Sequence, residues 1–245
     1  MSPGEIAALA GIAFLGALVF GTTGFGAALV TIPLATHFEP LAFCLALFAL
    51  MDLGNAAAVG FENPRHAVRR ELKSLMPMIL VGTAVGVTLL VSLPRKTGML
   101  ALGVFVLLYA VYALVRRESH VRISSRWAWL AGFTGGITST LFGAGGPPYA
   151  IYLSHRDLTK EQFRATLGLT TLTSISVRVV AFVLTGPLRD PLVWKTAAFV
   201  VPSALVGIYV ARHIFMRISR VALMRAVAVL LLFSGISLLW KSLGF

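Results

Sequence analysis

Gly21-Thr-Thr-Gly-Phe-Gly-Ala-Ala-Leu-Val-Thr-Ile-Pro33 breaks a long apolar run near the start of the chain. A second break, Thr138-Ser-Thr-Leu-Phe-Gly-Ala-Gly-Gly-Pro-Pro148, occupies the matching place in the second half. Backbone without regular helical hydrogen bonds survives inside a bilayer only where protein or a polar cavity satisfies it. Matched breaks in the apolar segments of two halves therefore mark a ligand site near the bilayer midplane. Glycine lets the chain turn left-handed and lets a ligand approach bare backbone.

Working outward, the surroundings of both breaks are membrane-like. The 245 residues are 58% hydrophobic and 12% charged, with a mean hydropathy of +0.88. A soluble domain carries about 25% charged residues. The composition implies an all-α polytopic membrane protein, read as one transmembrane domain over 1–245. The net charge of +12 does not point to nucleic acid, because 19 of the 21 Lys and Arg fall in short connections or at the C-terminal end. That distribution sets membrane orientation and favours contact with membrane lipid. The single Cys44 allows no disulfide or thiolate cluster within one chain. No Lys or Arg precedes the first apolar run, so that run reads as part of the mature protein rather than as a cleaved signal.

Spans are expected at 5–22, 41–61, 74–93, 97–115, 126–142, 163–185, 193–211 and 221–240, each near the ~20 residues that cross the hydrocarbon. Shorter apolar pieces at 26–37 and 147–154 suit re-entrant half-helices. An internal repeat, approximately 5–116 and 126–241, is legible at three places. Gly24-Phe-Gly-Ala-Ala aligns with Gly143-Ala-Gly-Gly-Pro at an offset of 119. Pro77 and Gly82 align with Pro202 and Gly207 at 125. Leu93-Pro-Arg-Lys aligns with Ile218-Ser-Arg-Val at the same 125. The 62–73 and 116–126 connections hold four Lys or Arg each, and 155–164 and 212–220 hold three each. Placing all four inside requires 126–154 to enter and return as a hairpin, with 5–37 doing the same from the other face. The halves are then inverted and both termini lie outside; two single broken crossings with parallel halves are the competing arrangement. Trp127, Trp129, Trp194 and Trp240 fall near segment ends, where an indole sits at headgroup depth.

A helix restarting after a break presents unpaired N–H groups and the positive end of its dipole, which together attract an anion. This makes Thr23, Gly24, Phe25, Gly26 and Ala27 substrate-binding candidates, and with them Gly143, Ala144, Gly145 and Gly146. Pro147 and Pro148 suit the first turn of a restarting helix. Thr22, Thr138, Ser139 and Thr140 add hydroxyls nearby. Arg178 lies well inside a span, where an unpaired cation costs at least ~2.5–3.5 kcal/mol. Thr171, Ser174 and Arg178 share one helical face, and the guanidinium fork suits sulfonate, sulfite or carboxylate oxygens. Asp52 and Asn55 correspond to Thr171 and Ser174 at the 119 offset. They are the proton-coupling candidates, since an intramembrane carboxylate can carry a proton; a static Asp52–Arg178 ion pair is the structural alternative. The 62–73 segment reads as a solvated basic loop. The five His residues lie at span ends or in loops without metal-ligand spacing.

There is no His-Glu-x-x-His zinc motif, P-loop or Gly-x-Ser-x-Gly elbow, and no cofactor or enzymatic activity is expected. The chain resembles the TauE/SafE sulfite-exporter family over essentially its whole length. The resemblance is carried by Gly24-Phe-Gly-Ala-Ala with Pro33 and by Gly143-Ala-Gly-Gly-Pro-Pro. Ala27 and Ala28 stand where that family often has further glycines. The resemblance implies a secondary transporter of a bacterial inner membrane. Its small anionic substrate would be sulfite, a sulfonate such as sulfoacetate, or another organic acid, moved outward with possible proton coupling. An anion channel is the alternative, and a homodimer is a possible assembly.

Overall fold

The computed structural model describes residues 1–115, 122–213 and 220–243. Arg116, Arg117 and His120 lie outside the described residues, as do 214–219 and the side chains of Thr23 and Arg225. Ten α-helices make up the described chain: α1 Pro3–Thr23, α2 Ala27–Ala35, α3 Leu41–Gly60, α4 Arg69–Ser92 and α5 Arg95–Val115, then α6 Trp127–Phe142, α7 Gly146–Ser154, α8 Lys160–Thr185, α9 Pro191–His213 and α10 Arg220–Leu243. Among the described residues, six are long and apolar enough to cross a membrane: α1, α3, α4, α5, α8 and α9. All four tryptophans are more than half exposed at helix ends, as headgroup-depth rings should be.

Each broken segment is a helical hairpin. Gly16 of α1 lies against Ala27 and Thr31 of α2, so α2 doubles back along α1. Gly135 of α6 lies against Tyr149 of α7, and Gly145 against Ser139, so α7 doubles back in the same way. The base of the second hairpin is closed by the Ile123 N–H donating to the His155 carbonyl at 3.2 Å. The segment 126–154 therefore enters and leaves at one end of the molecule. The 62–73 segment meets it there, through Arg156–Glu71 at 2.9 Å and Arg164–Glu62 at 3.0 Å. This end carries Arg65, Arg69, Arg70, Lys73, Arg122, Arg126, Arg156, Lys160 and Arg164.

One sequence expectation needs correction here. Residues 69–73 are not loop but the first turn of α4, which starts about five residues earlier than the apolar pattern suggests. Glu71 explains the difference. It is only 4% exposed, because it accepts hydrogen bonds from Tyr152 and Arg156. Tertiary partners thus draw a charged turn into the helix, where polarity alone reads as solvated chain.

The hairpins pack by backbone proximity. α1 lies alongside α9, and α6 alongside α4; α3 crosses α8, and α5 crosses α10. Gly82 of α4 faces the Phe133 carbonyl of α6, and Gly207 of α9 faces the Phe14 carbonyl of α1. At both places a side chain would collide with a neighbouring backbone. Without hydrophobic drive inside lipid, helices associate through this kind of close van der Waals packing over small residues. Replacing Gly82 or Gly207 by Val is expected to lower stability by roughly 1–3 kcal/mol each, because the bulk cannot be accommodated. Gly11, which faces open space, should tolerate Ala with little change. Thermal melting of the three purified variants in one detergent checks this.

Candidate functional site

Three left-handed glycines shape the two hairpin tips. Gly24 (φ 81°) ends α1, Gly26 (φ 89°) precedes α2, and Gly143 (φ 70°) ends α6. Only glycine takes these angles without strain, so α2 and α7 can start immediately after the preceding helix stops. The tips then interlock: Gly146 lies against the Phe25 ring, and Gly143 against Ala28 and Ile32 of α2. A side chain at either glycine would push the tips apart.

A small cavity remains between them. It is lined by Phe20, Phe25, Gly26, Ala27 and Ala28 from the first hairpin, and by Ser139, Gly143, Ala144, Gly145, Gly146 and Tyr149 from the second. Asp52 of α3 and Thr171, Ser174 and Ile175 of α8 complete it. Its volume is about 20 Å³, roughly the room one water molecule needs. Of the residues singled out from sequence, Phe25, Gly26, Ala27, Gly143 to Gly146, Thr171, Ser174 and Asp52 are brought together here. Gly24, Arg178 and Asn55 are not part of the lining, and the side chain of Thr23 lies outside the described residues.

Arg178 nonetheless organises the site. It is fully buried, and its guanidinium donates from Nη2 to Asp52 Oδ2 at 2.9 Å and from Nη1 to the Ser139 carbonyl at 2.7 Å. Ser139 lies in the last turn of α6, where carbonyls lack helical partners and the dipole is negative. One cation therefore joins α8, α3 and the end of α6. Several polar atoms around it have no hydrogen-bond partner: Asp52 Oδ1, Arg178 Nε, Thr171 Oγ1 and both amide atoms of Asn55. Buried polar atoms are nearly always paired in a native protein. A cluster without partners is what a polar ligand or water would complete.

The two helix starts are not equivalent. The first residues of α2, Ala27 and Ala28, carry N–H groups with no carbonyl inside the helix. In α7 the corresponding turn contains Pro147 and Pro148, which have no N–H to offer. The α2 start is the donor-rich one, and Tyr149 supplies polarity on the α7 side, where its hydroxyl donates to Ser174 Oγ at 2.9 Å. This hydroxyl was not evident from sequence. The available signal was Gly135, which leaves room for the Tyr149 ring. The hydroxyls of Thr22, Thr138 and Thr140 donate to carbonyls of their own helices. Removing one partner of a buried ion pair strands the other, at about 3–5 kcal/mol. Asp52→Ala is therefore expected to lose stability on that scale, and Asp52→Ala with Arg178→Leu to regain part of it, read as melting temperature in detergent.

The model of the family described as Sulfite exporter TauE/SafE matches residues 9–238. Among curated proteins, the chain is 24% identical over 200 residues to the Probable inner membrane transporter protein TsaS of Comamonas testosteroni, across 80% of this chain and 83% of that one. It is 25% identical over 197 residues to the Probable sulfite/organosulfonate exporter TauE of Cupriavidus necator, across 78% and 77%. No solved structure matches the chain significantly. With both glycine-rich tips and the cavity between them inside the matched range, the chain belongs to the sulfite exporter TauE/SafE family of integral membrane transporters.

Proposed function

We propose that this protein is a secondary transporter, rather than an enzyme, that exports a small anion across a bacterial inner membrane. Sulfite, a sulfonate such as sulfoacetate, and related organosulfur or organic acids are the substrate class, in keeping with the name of the Cupriavidus necator relative. The observation that carries the reading is the buried Arg178, held by Asp52 beside a cavity of unpartnered polar atoms. An intramembrane cation opposite a helix start is suited to anionic oxygens.

In this mechanism Asp52 is the resident counter-ion of the empty carrier. An arriving anion takes over the guanidinium, with the N–H groups of Ala27 and Ala28 and the Thr171 hydroxyl as further donors. Asp52, relieved of its partner in a buried place, takes up a proton and returns it when the anion leaves. Substrate and proton are thereby linked through one competition for Arg178. A cavity of about 20 Å³ is too small for a sulfonate, so the interlocked tips must part to admit one. That closed geometry favours a carrier over an open pore.

The same reading makes the halves, 5–116 and 126–241, inverted repeats within one transporter domain. The packing pairs support it, since α1 with α9 and α6 with α4 exchange under the repeat, as do α3 with α9 and α8 with α4. Gly82 against Phe133 and Gly207 against Phe14 exchange at the 125 and 119 offsets. α3 and α8 run antiparallel, with Gly60 beside Gly168 and Asp52 beside Arg178. The basic end is then cytoplasmic by the Lys/Arg rule, and both termini lie outside.

Arg178→Gln is expected to abolish binding of sulfite and sulfoacetate, read as loss of ligand-induced thermal stabilisation, while the protein still elutes as a folded species. Unchanged binding would remove Arg178 from the site. Asp52→Asn is expected to uncouple exchange in liposomes from a pH gradient; a wild-type pH dependence would end the proton role. Saturable counterflow distinguishes the carrier from a channel.

A further inference from the structure

The cavity is not symmetric along the membrane normal. On the side leading to the basic end, α8 presents buried Thr170 and Thr166 one and two turns before Ser174. α7 presents Tyr149 and then Tyr152. Their repeat counterparts at the 119 offset lead the opposite way and are apolar: Leu47 and Met51 of α3, and Val30 and Pro33 of α2. The positions toward the basic end form a polar half-path by composition, with the Thr170 hydroxyl donating to the Thr166 carbonyl at 2.7 Å, and the matching positions are hydrocarbon.

The polar half-path ends at a compact ionic cluster. Tyr152 Oη donates to Glu71 Oε2. Arg156 donates from Nε and Nη2 to Glu71 Oε1 at 3.0 and 2.9 Å, and from Nη1 to the Ile123 carbonyl at 2.6 Å. The Arg156 guanidinium also sits 5.8 Å from the centre of the Tyr152 ring. Beside it, the Val68 N–H donates to Thr166 Oγ1 at 2.9 Å. α4, α7 and the base of the second hairpin are thus tied together beside the start of α8. At the opposite end the equivalent positions hold no ion pair. Thr196, counterpart of Glu71 at the 125 offset, bonds to the Leu192 carbonyl. His37, counterpart of Arg156 at 119, bonds to the Pro33 carbonyl and Ser237.

We propose that Glu71, Tyr152 and Arg156 form the cytoplasmic gate of this transporter, and that the Thr166–Thr170–Ser174 stripe is the hydrated route by which an anion reaches the central cavity from the inside. Opening requires Glu71 to release Arg156. Arg156, one-fifth exposed, is then freed to meet an anion that has passed the exposed cations of this end, Arg122 and Arg164 among them. The hydroxyls of α8 replace part of its hydration shell on the way in. The apolar opposite half holds no water until the first hairpin moves. The assignment rests on the inverted-repeat carrier proposed above, but its test does not use substrate and so fails or succeeds separately from the Arg178 anion site.

The experiment is thiol accessibility. Thr170→Cys is placed in a Cys44→Ala chain and exposed to a membrane-impermeant thiol reagent in inside-out and right-side-out vesicles. With the gate intact, labelling is slow from both sides. Adding Glu71→Gln removes a charge-assisted contact, and labelling from the cytoplasmic side is expected to rise about tenfold or more, with outside labelling unchanged. Tyr152→Phe, which deletes one hydroxyl, is expected to give a smaller rise of the same sidedness. Met51→Cys, the apolar counterpart of Thr170, should stay unlabelled in both backgrounds. Unchanged cytoplasmic labelling of Thr170→Cys in both variants overturns the gate. Equal rises at Thr170→Cys and Met51→Cys overturn it as well, because they report general loosening.

Discussion

A single guanidinium buried within a membrane-length helix sets the terms for this protein. Arg178 is buried completely, where an unpaired cation is costly, and it is tolerated because Asp52 and the Ser139 carbonyl hold it. Those two partners come from different places, α3 and the end of a broken helix. Satisfying the cation therefore requires the second hairpin to stop in mid-membrane, and requires α3 to cross α8 beside it. The left-handed glycines, the interlocked tips and the close helix contacts are the geometry that makes this possible.

The same arrangement leaves the site unfinished. Asp52 Oδ1, Arg178 Nε, Thr171 Oγ1 and the Asn55 amide have no partners in the closed protein. A structure built only for stability would have paired them or replaced them with hydrocarbon, which is often no less stable than a buried ion pair. Retaining unpaired polar atoms beside a helix start is consistent with a ligand that completes them in turn. The membrane makes this economical in residues, since a few donors in a low-dielectric space act strongly on an anion.

The two parts of the chain differ at matching positions. The two hairpins exchange their packing partners, yet Pro147 and Pro148 strip donors from one helix start while Ala27 and Ala28 keep them at the other. Thr166, Thr170, Tyr149 and Tyr152 are buried on one side, and Leu47, Met51, Val30 and Pro33 occupy the matching positions on the other. Glu71 and Arg156 close one end, whereas Thr196 and His37 stand at the opposite end.

The sequence by itself determined the helical membrane class, the eight longer helices to within about five residues, six of them long and apolar enough to cross a membrane, the two short ones and the two breaks. These follow from local properties: apolar length against bilayer thickness, glycine and proline where a helix must stop, and Lys and Arg excluded from hydrocarbon. It also singled out Arg178 and Asp52, because a charge within a span is conspicuous in one dimension. Only the tertiary structure decided that these two bond to each other, that Ser139 shares the cation, and that Tyr149 meets Ser174. It alone drew the 69–73 turn into α4 through Glu71, Tyr152 and Arg156. Each of these joins groups from separate helices, and no local pattern encodes which buried donor faces which acceptor once the helices have packed.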